Sequence, residues 1–122
     1  MIEDGDGEIL VSLDTAKLFE NLDFDAYNSV IRYFFTAEGK YVSAPSQEAV
    51  KRWLYEKHGY FISVEPDFVT NNGFTSTIYR KDYGGKWYAW GRISRSNIKD
   101  NSDPYDVTDM AIATALKSII EK

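Results

Sequence analysis

SQEAVKRWLYEKHGYFISVEP, residues 46–66, changes from one structural period to another at a single glycine. Before Gly59, the apolar residues Ala49, Val50, Trp53 and Leu54 recur at helical spacing. Pro45 and Ser46 form a helix start, and Lys57 falls in the last turn, where the helix dipole favours a cation. After Gly59, Tyr60, Ile62 and Val64 alternate with Phe61, Ser63 and Glu65, the pattern of a half-buried strand that Pro66 ends. Gly59 itself supplies the left-handed stop between the two.

Reading forward from Pro66, Asn71-Asn72-Gly73 is a turn cluster that tolerates positive φ. A second strand is expected over Phe74–Lys81. Asp82-Tyr83-Gly84-Gly85 closes the next hairpin, and a third strand is expected over Lys86–Arg95. After a polar loop, Ser96–Ser102, Asp103 and Pro104 give an N-cap with proline in the first turn. The closing helix carries Thr108, Ile112, Ala115, Leu116 and Ile119 along one side. Residues 46–122 therefore read α-β-β-β-α, an α+β fold with a three-stranded antiparallel sheet and helices on one face. Trp53, Leu54, Ile62, Ile112, Leu116 and Ile119 are expected to share one core.

Reading backward, the chain becomes acidic. Residues 1–25 hold eight acids against the single base Lys17, whereas the rest holds eleven acids and thirteen bases. The net charge of −5 thus belongs to the N-terminal segment. Residues 1–8 are read as a disordered acidic tail and 9–122 as a single domain, with 9–45 a mainly helical extension. A first helix starts at Asp14 or Thr15 and carries Leu18, Phe19 and Leu22. Asp25 would cap a second, over residues 26–38, with the stripe Tyr27, Val30, Ile31, Phe34 and Phe35 and Gly39 as its stop. The β-branched and aromatic run SVIRYFF (29–35) also permits a strand; the five stripe positions favour helix.

Composition and motifs narrow the chemistry. The absence of cysteine in the 122 residues removes disulfides, thiolate metal sites and cysteine nucleophiles. His58 is the only histidine and is read as a helix-end residue rather than a metal ligand or triad member. Gly84-Gly85-Lys86 lacks the spacing of a phosphate loop and precedes a strand. Asp4, Asp6 and Glu8 lack the register of a calcium loop. No catalytic, cofactor-binding or metal residue is assigned, and no enzymatic activity is expected. The acidic N-terminus is not a signal peptide, and no run approaches the roughly 18 apolar residues of a membrane span. A cytoplasmic or virion-associated location is expected, without membrane contact.

The surface with distinct character is the second hairpin. Between Arg80 and Lys99 lie six bases against Asp82, interleaved with Tyr83, Trp87, Tyr88 and Trp90. Strand parity groups Lys86, Tyr88, Trp90, Arg92 and Ser94 on one face and Trp87, Ala89, Gly91, Ile93 and Arg95 on the other. The second set, being smaller and more apolar, is expected to meet the helices. Tyr79, Lys81, Tyr88, Trp90 and Arg92 then form the candidate interaction surface. Exposed rings beside arginine suit a protein hot spot or the stacking of single-stranded nucleic acid. A cover formed by residues 9–40 would instead make the rings core.

Two resemblances add expectations. AVKRWLYEKHGYFISV (Ala49–Val64) and MAIATALKSIIEK (Met110–Lys122) resemble small phage and prophage proteins of gut Bacteroidetes. Those proteins join a K-W-L-R-E-x-H-like helix end to three aromatic strands and a closing helix. The likeness covers about the last 75 residues, departs at Asp109 and Thr114, and implies a mobile-element accessory protein without implying an activity. The α-β-β-β-α order also resembles the double-stranded RNA-binding domain. At the start of that family's second helix, where a lysine cluster grips phosphate, this chain has Asp103, Asp106 and Asp109. Three carboxylates there would repel the backbone, which argues against duplex RNA as a partner. The function expected is protein–protein contact by a phage- or prophage-encoded accessory protein, either a virion component or an inhibitor of a host system. Single-stranded nucleic-acid binding is the alternative.

Overall fold

A computed structural model describes residues 2–3, 9–19, 22, 33–69, 73–93 and 103–121. In chain order these form β1 (Ile2–Glu3), β2 (Ile9–Leu10), α1 (Leu13–Lys17), β3 (Tyr33–Phe35), β4 (Tyr41–Ser43) and α2 (Gln47–Trp53). A π-helical turn, Leu54–His58, continues α2, followed by β5 (Tyr60–Pro66), β6 (Phe74–Lys81), β7 (Trp87–Ile93) and α3 (Pro104–Ile120). β5, β6 and β7 make one antiparallel sheet in that order, with β6 central. The fold is α+β.

The boundary residues between 46 and 121 act as their chemistry requires. Ser46 caps α2 by accepting a hydrogen bond from the Ala49 N–H, and Gly59 ends the π-helical turn at φ 69°. Asp103 accepts from the N–H groups of Tyr105 and Asp106, with Pro104 following it into α3. In the second hairpin, Asp82 Oδ1 accepts from the Gly84 and Lys86 N–H groups, and Gly85 takes φ 79°.

α2 and α3 cover one face of the sheet. Register places Tyr60 opposite Arg80, Ile62 opposite Ile78 and Ser76 opposite Ile93, all directed toward the helices. Tyr60, Ile78, Leu54, Ile112 and Leu116 are fully buried there, joined by Trp53 and Ile62, and Ile119 packs at the margin. Tyr60 satisfies its hydroxyl by donating to Ser118 Oγ at 3.0 Å, so the core's largest fully buried ring carries no orphaned polar atom.

The N-terminal third departs from its reading as a helical extension. Residues 33–35 are strand, paired with 41–43 as Tyr33↔Ser43, Phe34↔Val42 and Phe35↔Tyr41. Gly39 is not a helix stop but the positive-φ residue of this hairpin, at φ 81°, and Thr36 N–H donates to the Lys40 carbonyl. The aromatic run Tyr33-Phe34-Phe35 supports strand, and the tight turn after it makes pairing local. The remainder of that expected helix, 26–32, lies outside the described residues, as do 1, 4–8 and the Ser96–Ser102 loop. Ile2 and Glu3, read as part of a disordered tail, pair with Leu10 and Ile9.

The first helix is short and begins at Leu13, one or two residues earlier than expected. Ser12 caps it, and Asp109 of α3 reaches across to the cap. Asp109 Oδ1 accepts from Ser12 N–H at 2.7 Å, and Oδ2 accepts from Ser12 Oγ at 2.8 Å and Thr15 Oγ1 at 2.9 Å. An anion at a helix N-terminus is favoured by the dipole and by otherwise unpaired N–H groups. Phe19, beyond this helix, packs edge-on against Trp53 with centroids 5.8 Å apart. The segment is therefore tied to the core by both a polar clamp and an aromatic contact.

Candidate interaction surface

The third strand carries an irregularity that reassigns its side chains. Ile78 pairs with Gly91 but Tyr79 pairs with Ala89, so Trp90 is an extra residue, a β-bulge. Alternation restarts at the bulge. Trp87, Ala89 and Arg92 lie on the open face, opposite Lys81, Tyr79 and Thr77, while Tyr88, Gly91 and Ile93 lie with the helix-side residues Arg80, Ile78 and Ser76.

The expected set Tyr79, Lys81, Tyr88, Trp90 and Arg92 is thus divided. Tyr79, Lys81 and Arg92 share the open face. Trp90, expected there, is instead half-buried against the core, with its ring edge-on to Tyr60 at 5.6 Å. Arg80 closes over both rings, its guanidinium carbon 4.8 Å from the Tyr60 centroid and 5.8 Å from that of Trp90. Tyr88, opposite Arg80, is exposed on that same side. The parity assignment fails because a strand with one inserted residue exchanges its faces at the insertion.

Trp87 takes the place expected of Trp90. It joins Phe61 of β5 and Tyr79 of β6, which pair directly, and Tyr55 of the π-helical turn. Tyr55 lies nearly parallel to Trp87, centroids 5.8 Å apart and planes inclined 14°. Phe61 meets Trp87 and Tyr55 edge-on, at 6.2 and 6.4 Å. Lys81 Nζ stands 5.2 Å from the Trp87 centroid and 5.9 Å from that of Tyr55. Tyr55 and Phe61 are each 49% exposed and Trp87 39%, so the cluster is held in place yet open to solvent.

Both backbone irregularities bear on this patch. π-turns and β-bulges are frequent where a side chain must be re-aimed for function. Here the π-turn carries Tyr55 to the sheet, and the bulge inverts the faces of Trp87–Ala89 relative to the buried Ile93, which turns Trp87 to the open face and leaves Trp90 on the covered one. His58, at the end of the π-turn, packs edge-on to Trp53 at 4.5 Å. Among the described residues, no group of three His, Cys, Asp or Glu could hold a metal ion. None of their helices is long and apolar enough to cross a membrane.

Concavities among the described residues adjoin these features, one of them about 460 Å³ at the second hairpin, lined by Arg80, Lys81, Asp82, Tyr83 and Tyr88. A groove of about 340 Å³ runs between α2 and β5, lined by Glu48, Lys51, Arg52, Tyr55, Phe61 and Ile62. A cleft of about 260 Å³ lies beside the Asp109 clamp, lined by Leu10, Ser12, Gln47, Tyr105, Asp106, Asp109 and Met110. Its Gln47 donates to the Tyr105 carbonyl at 2.9 Å, and Asp109 is occupied by the cap. The polar groups of that cleft are thus already engaged with the fold.

Comparison with protein-family models, curated proteins and solved structures returned no match. The interaction surface therefore rests on its own geometry.

Proposed function

We propose that this chain is a non-enzymatic accessory protein, encoded by a phage or prophage, that acts by binding another protein through the open face of β5–β6–β7. The observation that carries the binding reading is the solvent-open cluster of Tyr55, Phe61, Tyr79 and Trp87 with Lys81 over two of its rings. Aromatic residues held by neighbours lose little entropy on binding, and Trp and Tyr dominate protein hot spots. The phage origin rests on the sequence resemblance of residues 49–64 and 110–122. A cytoplasmic or virion-associated location accords with it.

A second reading, single-stranded nucleic-acid binding, is favoured by Lys81 and Arg92 on the same face as the rings. The two separate on one variant. Trp87→Ala should leave the protein folded, at a cost of about 1–2 kcal/mol in stability, and weaken a protein partner by about 2 kcal/mol or more. Binding to random single-stranded oligonucleotides that falls steeply with salt and is lost in Trp87→Ala would establish the second reading instead. If Trp87→Ala alters neither kind of binding, the open face is not the contact surface.

A further inference from the structure

We propose that the outer edge of β5 accepts an extended acidic segment of the partner protein by strand addition, in the groove between α2 and β5. This inference rests on the protein-binding reading above and specifies the chemistry of the partner.

The backbone of β5 determines which groups face outward. The Gly59 carbonyl accepts from Lys81 N–H at 3.2 Å, the Ser63 carbonyl accepts from Ser76 Oγ at 2.8 Å, and Asp67 N–H donates to the Gly73 carbonyl at 3.1 Å. Odd-numbered residues thus turn their peptide groups toward β6. Alternation directs those of Ile62 and Val64 away from it. Among the described residues no strand pairs with this edge. Unpaired, in-line donors and acceptors are a template for another strand.

The groove beside that edge selects the side chains of the added strand. Successive side chains of a strand point to opposite faces. On the open face they would lie beside Phe61 and Tyr55, which suits apolar or aromatic residues. On the helix side they would meet α2, where Lys51 pairs with Glu48 at 2.8 Å. Arg52, exposed, has no carboxylate partner among the described residues. Lys81 lies on the open face with the rings and not on the helix side. With Glu48 and Lys51 paired, the charge of Arg52 favours Glu or Asp at the helix-side positions. A peptide satisfies the backbone groups, the rings and the Arg52 charge together, whereas a nucleic acid would leave the β5 amides without partners.

The test is selection from a library of random peptides about twelve residues long, followed by measurements on the enriched peptide. Enrichment of acidic residues alternating with apolar ones is expected, with slowed hydrogen exchange at the Ile62 and Val64 amides when the peptide binds. Val64→Pro removes an outward N–H that β6 does not use, so the fold should persist while affinity falls about tenfold. Arg52→Glu, an exposed change, should shift the selection from acidic to basic peptides. Enrichment of nothing, or of basic peptides by the unmodified protein, overturns the proposal. Peptide binding lost in Trp87→Ala with no protection at Ile62 and Val64 also overturns it, but leaves the open-face reading standing. Protection of both amides with Trp87→Ala binding as tightly as the unmodified protein supports strand addition and refutes the open face.

Discussion

Tyr55 lies almost flat against Trp87, 5.8 Å between centroids, and so fastens the end of the first long helical segment to the far strand's beginning. Sequence places the two residues in different elements; the stack makes them one surface. A double-mutant cycle on Tyr55→Ala and Trp87→Ala should give a coupling of about 0.5–1.5 kcal/mol. Each single change should cost at least that coupling, about 1–2 kcal/mol, and less than a core substitution because both rings remain partly in water. Denaturant melts of the four proteins provide the measurement. A coupling indistinguishable from zero would mean that the rings do not hold one another.

Trp90 should behave in the opposite way. Its ring is half-buried between Tyr60, Arg80 and the core. Trp90→Ala is expected to cost about 2–4 kcal/mol, toward the lower part of the range for large-to-small core changes because the site is not fully enclosed. Unchanged stability would contradict its placement on the covered face.

Asp109 provides a test of how the N-terminal segment is attached. Asp109→Ala leaves the Ser12 N–H and the Ser12 and Thr15 hydroxyls without their acceptor, and Thr15 is buried. A loss of about 1–3 kcal/mol is expected. Asp109→Asn should lose less, because one oxygen remains an acceptor and hydroxyls can rotate to meet the amide. Equal losses for the two variants would indicate that charge, rather than hydrogen bonding, carries the clamp.

Glu38 is exposed in the β3–β4 turn. A hydrogen bond from its own backbone N–H, a second from Thr36 and the nearby charge of Lys17 hold its carboxyl below the usual carboxylate range. A folded-state value below the unfolded one means the stabilisation is present above the unfolded pKa and disappears as pH falls through the folded one. Carboxyl titration by NMR should give a midpoint below that of a free glutamate, moving back up in Thr36→Val. A midpoint at the free value would remove this contribution.

Most of residues 46–121 was legible because its signals agree. Gly59, Asp103-Pro104 and Asp82-Gly85 mark boundaries that local chemistry enforces, and Tyr60, Ile62 and Val64 alternate without interruption. The interaction surface was only half legible. Phe61 shares its parity with Ser63 and Glu65, opposite the buried Ile62, but a π-turn is invisible to a 3.6-residue pattern and hides Tyr55. Alternation alone misplaces Trp90, because the bulge appears only in the pairing of β6 with β7. Gly91 was the available signal, since an isolated glycine inside a strand often accompanies a bulge. At 33–35 two local preferences competed, and the pairing with 41–43 decided for strand. Asp109 reads as one more acid on a surface helix; its use appears only when α3 meets Ser12.

The Ser12–Asp109 contact also orders events during synthesis. The two residues are 97 apart in the chain, so α1 leaves the ribosome long before its clamp exists. A five-residue helix is too short to persist alone, and non-local contacts form only after the intervening loop has been closed. Ser12 and Thr15 must therefore wait for their acceptor while the sheet assembles. Phe19 against Trp53 and Val11 N–H on the Pro45 carbonyl can hold residues 10–19 before then, but the Ser12–Asp109 clamp closes only when α3 arrives, which makes the clamp a late step in folding.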